Sequence, residues 1–330
     1  MSVEQTQGVN TRTGNRMKRI LRLLLKIIGI LAIAAALFLA IVFIVNVVSS
    51  KSEQGKIIPY GKLVPVDGKQ MNVTIEGQGD ETVVLLPGFG TAAPALDFKL
   101  LMDELSPYYR VVAIEPFGYG LSDGTDSERT TANIVREIHE ALQQLNIDRY
   151  ILMGHSIAGI YALDYVNKYP EEVTAFAGID SSVPEQGGMD AEFPMKLFKF
   201  LKKSGLLRFV MTISGDPYAS SSFDAQTKQQ MRMLSYKNSN NDTTLNEMKH
   251  ISANFKDAQQ LSFPKAFPVI LFVQADDTEV EDWLPLHEAQ VRPLDHGRVV
   301  TLEGEHYLHH TQSKAIAENF RAFMNEAESK

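Results

Sequence analysis

The chain has no cysteine in its 330 residues. Disulfides, thiolate nucleophiles and cysteine-ligated zinc are therefore excluded. Acidic residues are almost missing from the first 51 positions. Glu4 stands there against Arg12, Arg16, Lys18, Arg19, Arg22, Lys26 and Lys51. The remainder then holds 25 basic and 39 acidic residues, a net of −14. Such a body repels phosphate backbones, which argues against nucleic acid as a partner. No internal repeat or low-complexity tract is visible. Hydrophobic residues at 44% and charged residues at 22% are ordinary for a folded protein.

Charge is also missing from Ile27 to Val45, "IIGILAIAAALFLAIVFIV". With Asn46, Val47 and Val48 the stretch reaches 22 residues, enough to cross a hydrocarbon core as a helix. A buried core helix of this length would carry a polar stripe. A cleaved signal peptide would be shorter and end in a small-x-small site, which "NVVSSKSE" matches poorly. The expectation is an uncleaved anchor over 27–48. The basic cluster precedes it, so residues 1–26 form a cytoplasmic tail and the body lies outside a cell membrane crossed once. Residues 49–56, "SSKSEQGK", read as a polar linker.

Downstream, short apolar runs alternate with helical patterns. "KLVPVDG" and "KQMNVTIEG" read as a hairpin over Asp67-Gly68. "TVVLLPG", "YRVVAIEP", "DRYILMGHS", "VTAFAGID", "PVILFVQAD" and "GRVVTLEG" read as strands, the continuous apolar runs among them suiting burial on both faces. Ile134, Ile138, Leu142 and Leu145 recur at helix spacing, as do Ile316, Phe320, Phe323 and Met324. The alternation predicts an α/β fold with a mostly parallel sheet flanked by helices. Residues 184–262 break the rhythm, contain no good strand and exceed an ordinary connection. They read as an inserted helical lid within a domain over 57–330.

Ser156 closes one of these strands and precedes a helix, in Gly154-His155-Ser156-Ile157-Ala158-Gly159. That context suits a nucleophile on a tight strand-to-helix turn, with Ala158 one methyl larger than the usual glycine. His155 reads as a structural neighbour, because adjacent side chains diverge there. A serine needs a base and an orienting acid. Six histidines follow: His250, His287, His296, His306, His309 and His310. Only His306 directly follows a strand, at the edge where active sites of open sheets gather. His309 and His310 read as exposed loop residues, without a metal. Asp276 and Asp277 both end the preceding strand.

The body resembles the α/β-hydrolase superfamily in its lid-bearing form, over roughly residues 60–325. The resemblance rests on "LLPGFG", "EPFGYGLSD", "GHSIAG", "VQADDTEV" and "GEHYLHH". It implies a Ser-Asp-His order along the chain. The acid strand of that family often ends G-x-x-D, and counting from Gln274 favours Asp277 over Asp276 as the acid. Asp180, after the strand that follows the serine, is a third candidate, since some relatives resemble that placement. The resemblance assigns the oxyanion hole to the N–H groups of Phe89 and Ile157, with Pro87 where histidine is common. Glu115 stands for aspartate in "EPFGYGLSD", whose glycines read as structural. The expected function is a membrane-anchored serine hydrolase of carboxylic, lipid-like esters, needing no cofactor. A peptidase or amidase, or a non-catalytic binding protein on the same fold, are the alternatives. The expected partners are the ester substrate and, through residues 27–48, a lipid bilayer.

Overall fold

The apolar stretch belongs to one uninterrupted helix, α1 (Glu4–Gln54). The computed structural model describes residues 4–219 and 221–328. The first three residues of the expected tail, Ser220 of the lid and the last two residues of the hydrolase domain therefore lie outside the described residues. No proline interrupts α1; the first is Pro59. Residues Arg16–Gln54, 39 in all, are long and apolar enough to cross a membrane by length and composition. At 1.5 Å per residue they span about 58 Å, roughly twice a hydrocarbon core. The linker expected over 49–56 is thus corrected. The helix runs on through Gln54, because Ser50 and Glu53 find a partner in the body, Arg208.

The hairpin follows as β1 (Lys62–Val66) and β2 (Lys69–Glu76). Its turn residues Asp67 (φ 49°) and Gly68 (φ 74°) are both left-handed, as a two-residue turn matched to strand twist requires. Next come β3 (Thr82–Leu86), the short α2 (Pro94–Asp97) and α3 (Lys99–Leu105), and β4 (Arg110–Glu115). Then α4 (Thr131–Gln144), β5 (Tyr150–His155), α5 (Ala158–Lys168) and β6 (Val173–Ile179) alternate. The insertion holds α6 (Met195–Ser204), α7 (Leu206–Ile213), α8 (Ala225–Asn238) and α9 (Asp242–Ala258). The chain ends on β7 (Val269–Gln274), α10 (Trp283–Val291), β8 (Gly297–Leu302) and α11 (Ser313–Glu328).

The eight strands form one sheet in the order β1-β2-β4-β3-β5-β6-β7-β8. Pairs β1/β2 and β2/β4 are antiparallel, and the rest are parallel. The central strands are apolar on both sides because helices cover both faces. Leu152, Phe176 and Leu271 pack with α4, α5 and α10 on one face. Met153, Ala177 and Phe272 pack with α3 and α11 on the other. Each fully buried Leu or Phe stabilises the fold by about 1.5–3 kcal/mol. The insertion between β6 and β7 is helical, as expected. Side chains of Asp224 and Asn241 cap α8 and α9 by accepting from Thr227 N and Thr244 N.

Candidate active site

The carboxyl ends of β5, β6 and β8 meet at one place. Ser156 follows β5 at φ 54°, a left-handed conformation that is strained for a residue with a side chain. The turn is held from both sides. Ser156 N donates to Ile179 O at 3.2 Å, while its carbonyl accepts from Gly159 N at 3.0 Å and Ser182 N at 2.8 Å. Small residues are needed for close approach. A Cβ at Gly154 would stand 2.8 Å from Ala158 Cβ, and one at Gly159 would collide with Ser182 O. Gly159 therefore has its own task, which is to let α5 pass the loop after β6.

His306 lies in the loop after β8. Its Nε2 is 2.9 Å from Ser156 Oγ and its Nδ1 is 2.7 Å from Asp180 Oδ2. With the proton on Nδ1, His306 donates to Asp180 and accepts from the serine hydroxyl. Asp180 is fully buried, and its other oxygen accepts from Gln274 N at 2.9 Å and Trp283 Nε1 at 2.8 Å. Three donors on one carboxylate fix its orientation.

The expectation for the acid is corrected by this geometry. Asp277 Oδ1 accepts from Glu279 N and Val280 N, at 2.9 and 2.8 Å, capping its own turn. It lines the cavity near Ser156 but makes no bond to His306, and Asp276 is exposed. The residue that reaches His306 is Asp180. It ends β6, the strand directly beside β5, whereas β7 lies one strand farther out. The sequence signal for it was an aspartate at the end of the buried run that follows the serine.

His309 and His310 are also corrected, since they are not exposed loop residues. His309 is fully buried, and its Nε2 lies 2.7 Å from Asp97 Oδ2; His310 Nε2 lies 2.8 Å from Asp97 Oδ1. Asp97 was invisible as a partner because it lies more than 200 positions away. These three residues present ligand atoms within 4.8 Å of one another, close enough to hold a metal ion. The arrangement itself is a carboxylate bridging two imidazoles, each Nε2 on its own oxygen. Burial raises the Asp97 pKa, but the charge and hydrogen bonds of His309, with those of His310, outweigh it and hold the carboxyl well below its usual range. Burial pushes the His309 pKa down despite Asp97.

His155 is a structural neighbour, as expected. Its Nε2 lies 3.0 Å from His306 O, and its ring packs 4.6 Å from that of His306. Burial, then the charges of His309 and His306, drive its pKa well below the ordinary value, so it is neutral. A neutral imidazole here supports the His306 loop without adding positive charge beside the base. Glu115 is likewise structural. It is fully buried and accepts from Tyr60 OH, Asn72 Nδ2, Leu121 N and Ala95 N.

Ser156 and His306 open onto a cavity of about 620 Å³. Phe89, Ile157, Trp283 and the lid residues Met189, Ile251 and Phe255 give it apolar walls, and Asp277, Glu279 and Glu305 also line it. Phe89 and Ile157 line this cavity together with Ser156.

Residues 81–277 match a family model described as alpha/beta hydrolase fold. The uncharacterized protein YbdG of Bacillus subtilis (strain 168) is 28% identical over 315 residues, covering 91% of this chain and 97% of that protein. A 2-hydroxy-6-oxononadienedioate/2-hydroxy-6-oxononatrienedioate hydrolase of Escherichia coli (strain K12) is 33% identical, over 36% of this chain and 41% of its own length. Among solved structures, the enol-lactonase of Burkholderia xenovorans LB400 superposes at TM-score 0.61 with 14% identity, over 80% of this chain and all of that one. The epoxide hydrolase VrEH1 of Vigna radiata superposes at 0.63 with 17% identity, over 82% and 99%. At such identities the likeness to solved structures is one of fold.

Proposed function

Because the chain belongs to the α/β hydrolase fold family, we propose that it is a membrane-anchored serine hydrolase of neutral carboxylic esters. The observation that carries this reading is the bonded series Ser156 Oγ, His306, Asp180, with distances of 2.9 and 2.7 Å. Ser156 Oγ attacks the ester carbonyl while His306 Nε2 takes its proton. The tetrahedral oxyanion is received by the N–H groups of Phe89 and Ile157. His306 then returns the proton to the leaving alcohol, which departs as the C–O bond breaks. Water, deprotonated by His306, attacks the acyl-serine and releases the acid. Asp180 keeps the imidazole oriented and stabilises it while charged. A serine at the elbow, in place of an aspartate, sets this site apart from epoxide-opening chemistry on the same fold.

A fluorophosphonate probe tests the nucleophile. The folded wild-type protein becomes labelled and Ser156→Ala does not. A folded wild type that resists the probe, or equal labelling of the variant, ends the enzymatic reading.

The cavity also limits the substrate. Asp277, Glu279 and Glu305 put three carboxylates beside apolar walls. An anionic ester would be repelled there, so the dioate named for the E. coli relative is a poor guide to this site. We expect a neutral p-nitrophenyl ester to be preferred over an equally long ester ending in a carboxylate. Glu279→Gln with Glu305→Gln should raise kcat/KM for the anionic ester about three- to tenfold, at low salt, with little change for the neutral one. Equal effects on both esters would show that the rim does not sense substrate charge.

The anchor reading is supported by what α1 touches. Arg208 of the lid binds Asn46, Ser50 and Glu53. Cleavage near "NVVSSKSE" would remove partners that the body uses. The positive cluster before the span supports a cytoplasmic N-terminus with the hydrolase domain outside.

A further inference from the structure

The lid contains a helix pair that buries nothing of its own. Neither α6 nor α7 has a single buried side chain. Instead Phe193, Leu197, Phe200, Phe209, Val210 and Ile213 stand 38–66% exposed. Outside α1, only four other large apolar side chains among the described residues are exposed, at 37–52%: Ile58, Leu63, Tyr108 and Tyr307. The same stretch, 193–213, carries Lys196, Lys199, Lys202, Lys203 and Arg208 and no acid, in a body that is otherwise strongly acidic. An apolar face bordered by lysines is the composition of a helix that lies in a membrane interface.

This surface is continuous with that of α1. The turn between α6 and α7 lies flush on the anchor, where a Cβ on Gly205 would stand 2.6 Å from Asn46 Cβ. Arg208 grips Glu53 with both Nη atoms at 2.7 Å, Asn46 Oδ1 at 2.9 Å and Ser50 Oγ at 3.0 Å. The Phe209 ring meets Phe38 edge-on at 5.3 Å. Phe38 lies ten residues before Val48, about 15 Å along the helix. If α1 crosses the bilayer over 27–48, Phe209 is at hydrocarbon depth.

We infer that the α6–α7 hairpin of the lid is a second membrane-seated element, its apolar face in the outer leaflet of a bilayer containing anionic lipid and its turn fastened to α1 through Arg208. This rests on the anchor reading and extends it. Met189, which lines the catalytic cavity, lies four residues before Phe193, so the lid wall of the site continues directly into the seated hairpin.

The absence of cysteine makes the test direct. Single-cysteine forms of the full chain, Phe200→Cys, Ile213→Cys, Ile41→Cys on the anchor and Asp148→Cys in the exposed loop before β5, are labelled with an environment-sensitive fluorophore. Each is reconstituted in phosphatidylcholine–phosphatidylglycerol vesicles with nitroxide-bearing acyl chains. Thermal unfolding like that of wild type confirms each fold. Quenching at positions 200 and 213 is expected within about twofold of that at 41, with 148 unquenched. Quenching at 41 with 200 and 213 as dark to lipid as 148 overturns the hairpin and leaves the anchor standing. Labels at 200 and 213 shielded from aqueous iodide yet unquenched by lipid overturn it in favour of a protein partner or second copy. No quenching at 41 removes both readings.

Discussion

Asp180→Asn is expected to lower kcat by about 10⁴-fold, while Asp277→Asn and Asp276→Asn should stay within about threefold of wild type. The asymmetry follows from which nitrogen of His306 must carry the proton. Asp180 Oδ1 is held by Gln274 N and Trp283 Nε1, both donors. An asparagine must therefore keep its carbonyl on that side and turn its amide NH₂ toward His306 Nδ1. The ring then accepts at Nδ1 and carries its proton on Nε2, where it can no longer receive the proton of Ser156 Oγ. The variant folds, because asparagine tolerates the left-handed backbone of this position, φ 43°. At Asp277 the oxygen only caps Glu279 N and Val280 N, which an asparagine also does. Steady-state hydrolysis of a neutral p-nitrophenyl ester, read beside thermal unfolding of each variant, decides it. A silent Asp277→Asn with an active Asp180→Asn would falsify the assignment.

Strands were legible because a sheet covered on both faces demands continuous apolar runs, and each such run became a strand. The serine and the histidine were legible because each directly follows a strand at the sheet's carboxyl edge. The acid was not, because β6 and β7 are each followed within three residues by an aspartate and either satisfies the chain order. Lateral order decides between them, and Asp180 wins by standing on the strand beside β5. Longer-range pairs were hidden for a related reason. His309 reads as a loop residue until Asp97 is folded against it, and "SSKSEQGK" reads as a linker until Arg208 arrives from the lid. Local polarity reports exposure only when no distant partner claims the group.

Arg129→Met is the substitution with the largest expected effect on stability, a loss of about 3–5 kcal/mol. Arg129 is wholly buried, and its Nη1 lies 2.6 Å from Glu137 Oε2, itself 1% exposed. Its charge also acts on buried Glu247, which accepts from Tyr119 OH at 2.8 Å and Tyr161 OH at 2.5 Å. Burial raises the pKa of both glutamates and Arg129 opposes that rise. Methionine fills the stem's space but leaves Glu247 without that cation and Glu137 with only the partly exposed Arg136, 3.8 Å away. Both carboxylates escape by taking protons, so their folded pKa values climb further above the unfolded value near 4.5. A raised folded pKa gives stability that is present at low pH and is lost as pH rises through it. The deficit of the variant should therefore be smaller at about pH 5 than at about pH 8, measured by urea unfolding at each pH. An equal deficit at both would mean that the carboxylates are not what Arg129 holds. Activity should fall as well. Tyr119 OH accepts from Gly90 N at 3.2 Å, and Gly90 follows Phe89 in the loop assigned to the oxyanion. A loosened Glu247 frees Tyr119, and through Gly90 the donor at Phe89 loses its fixed aim. That loss should appear in kcat more than in KM, because a misplaced donor weakens the transition state and leaves ground-state binding largely intact.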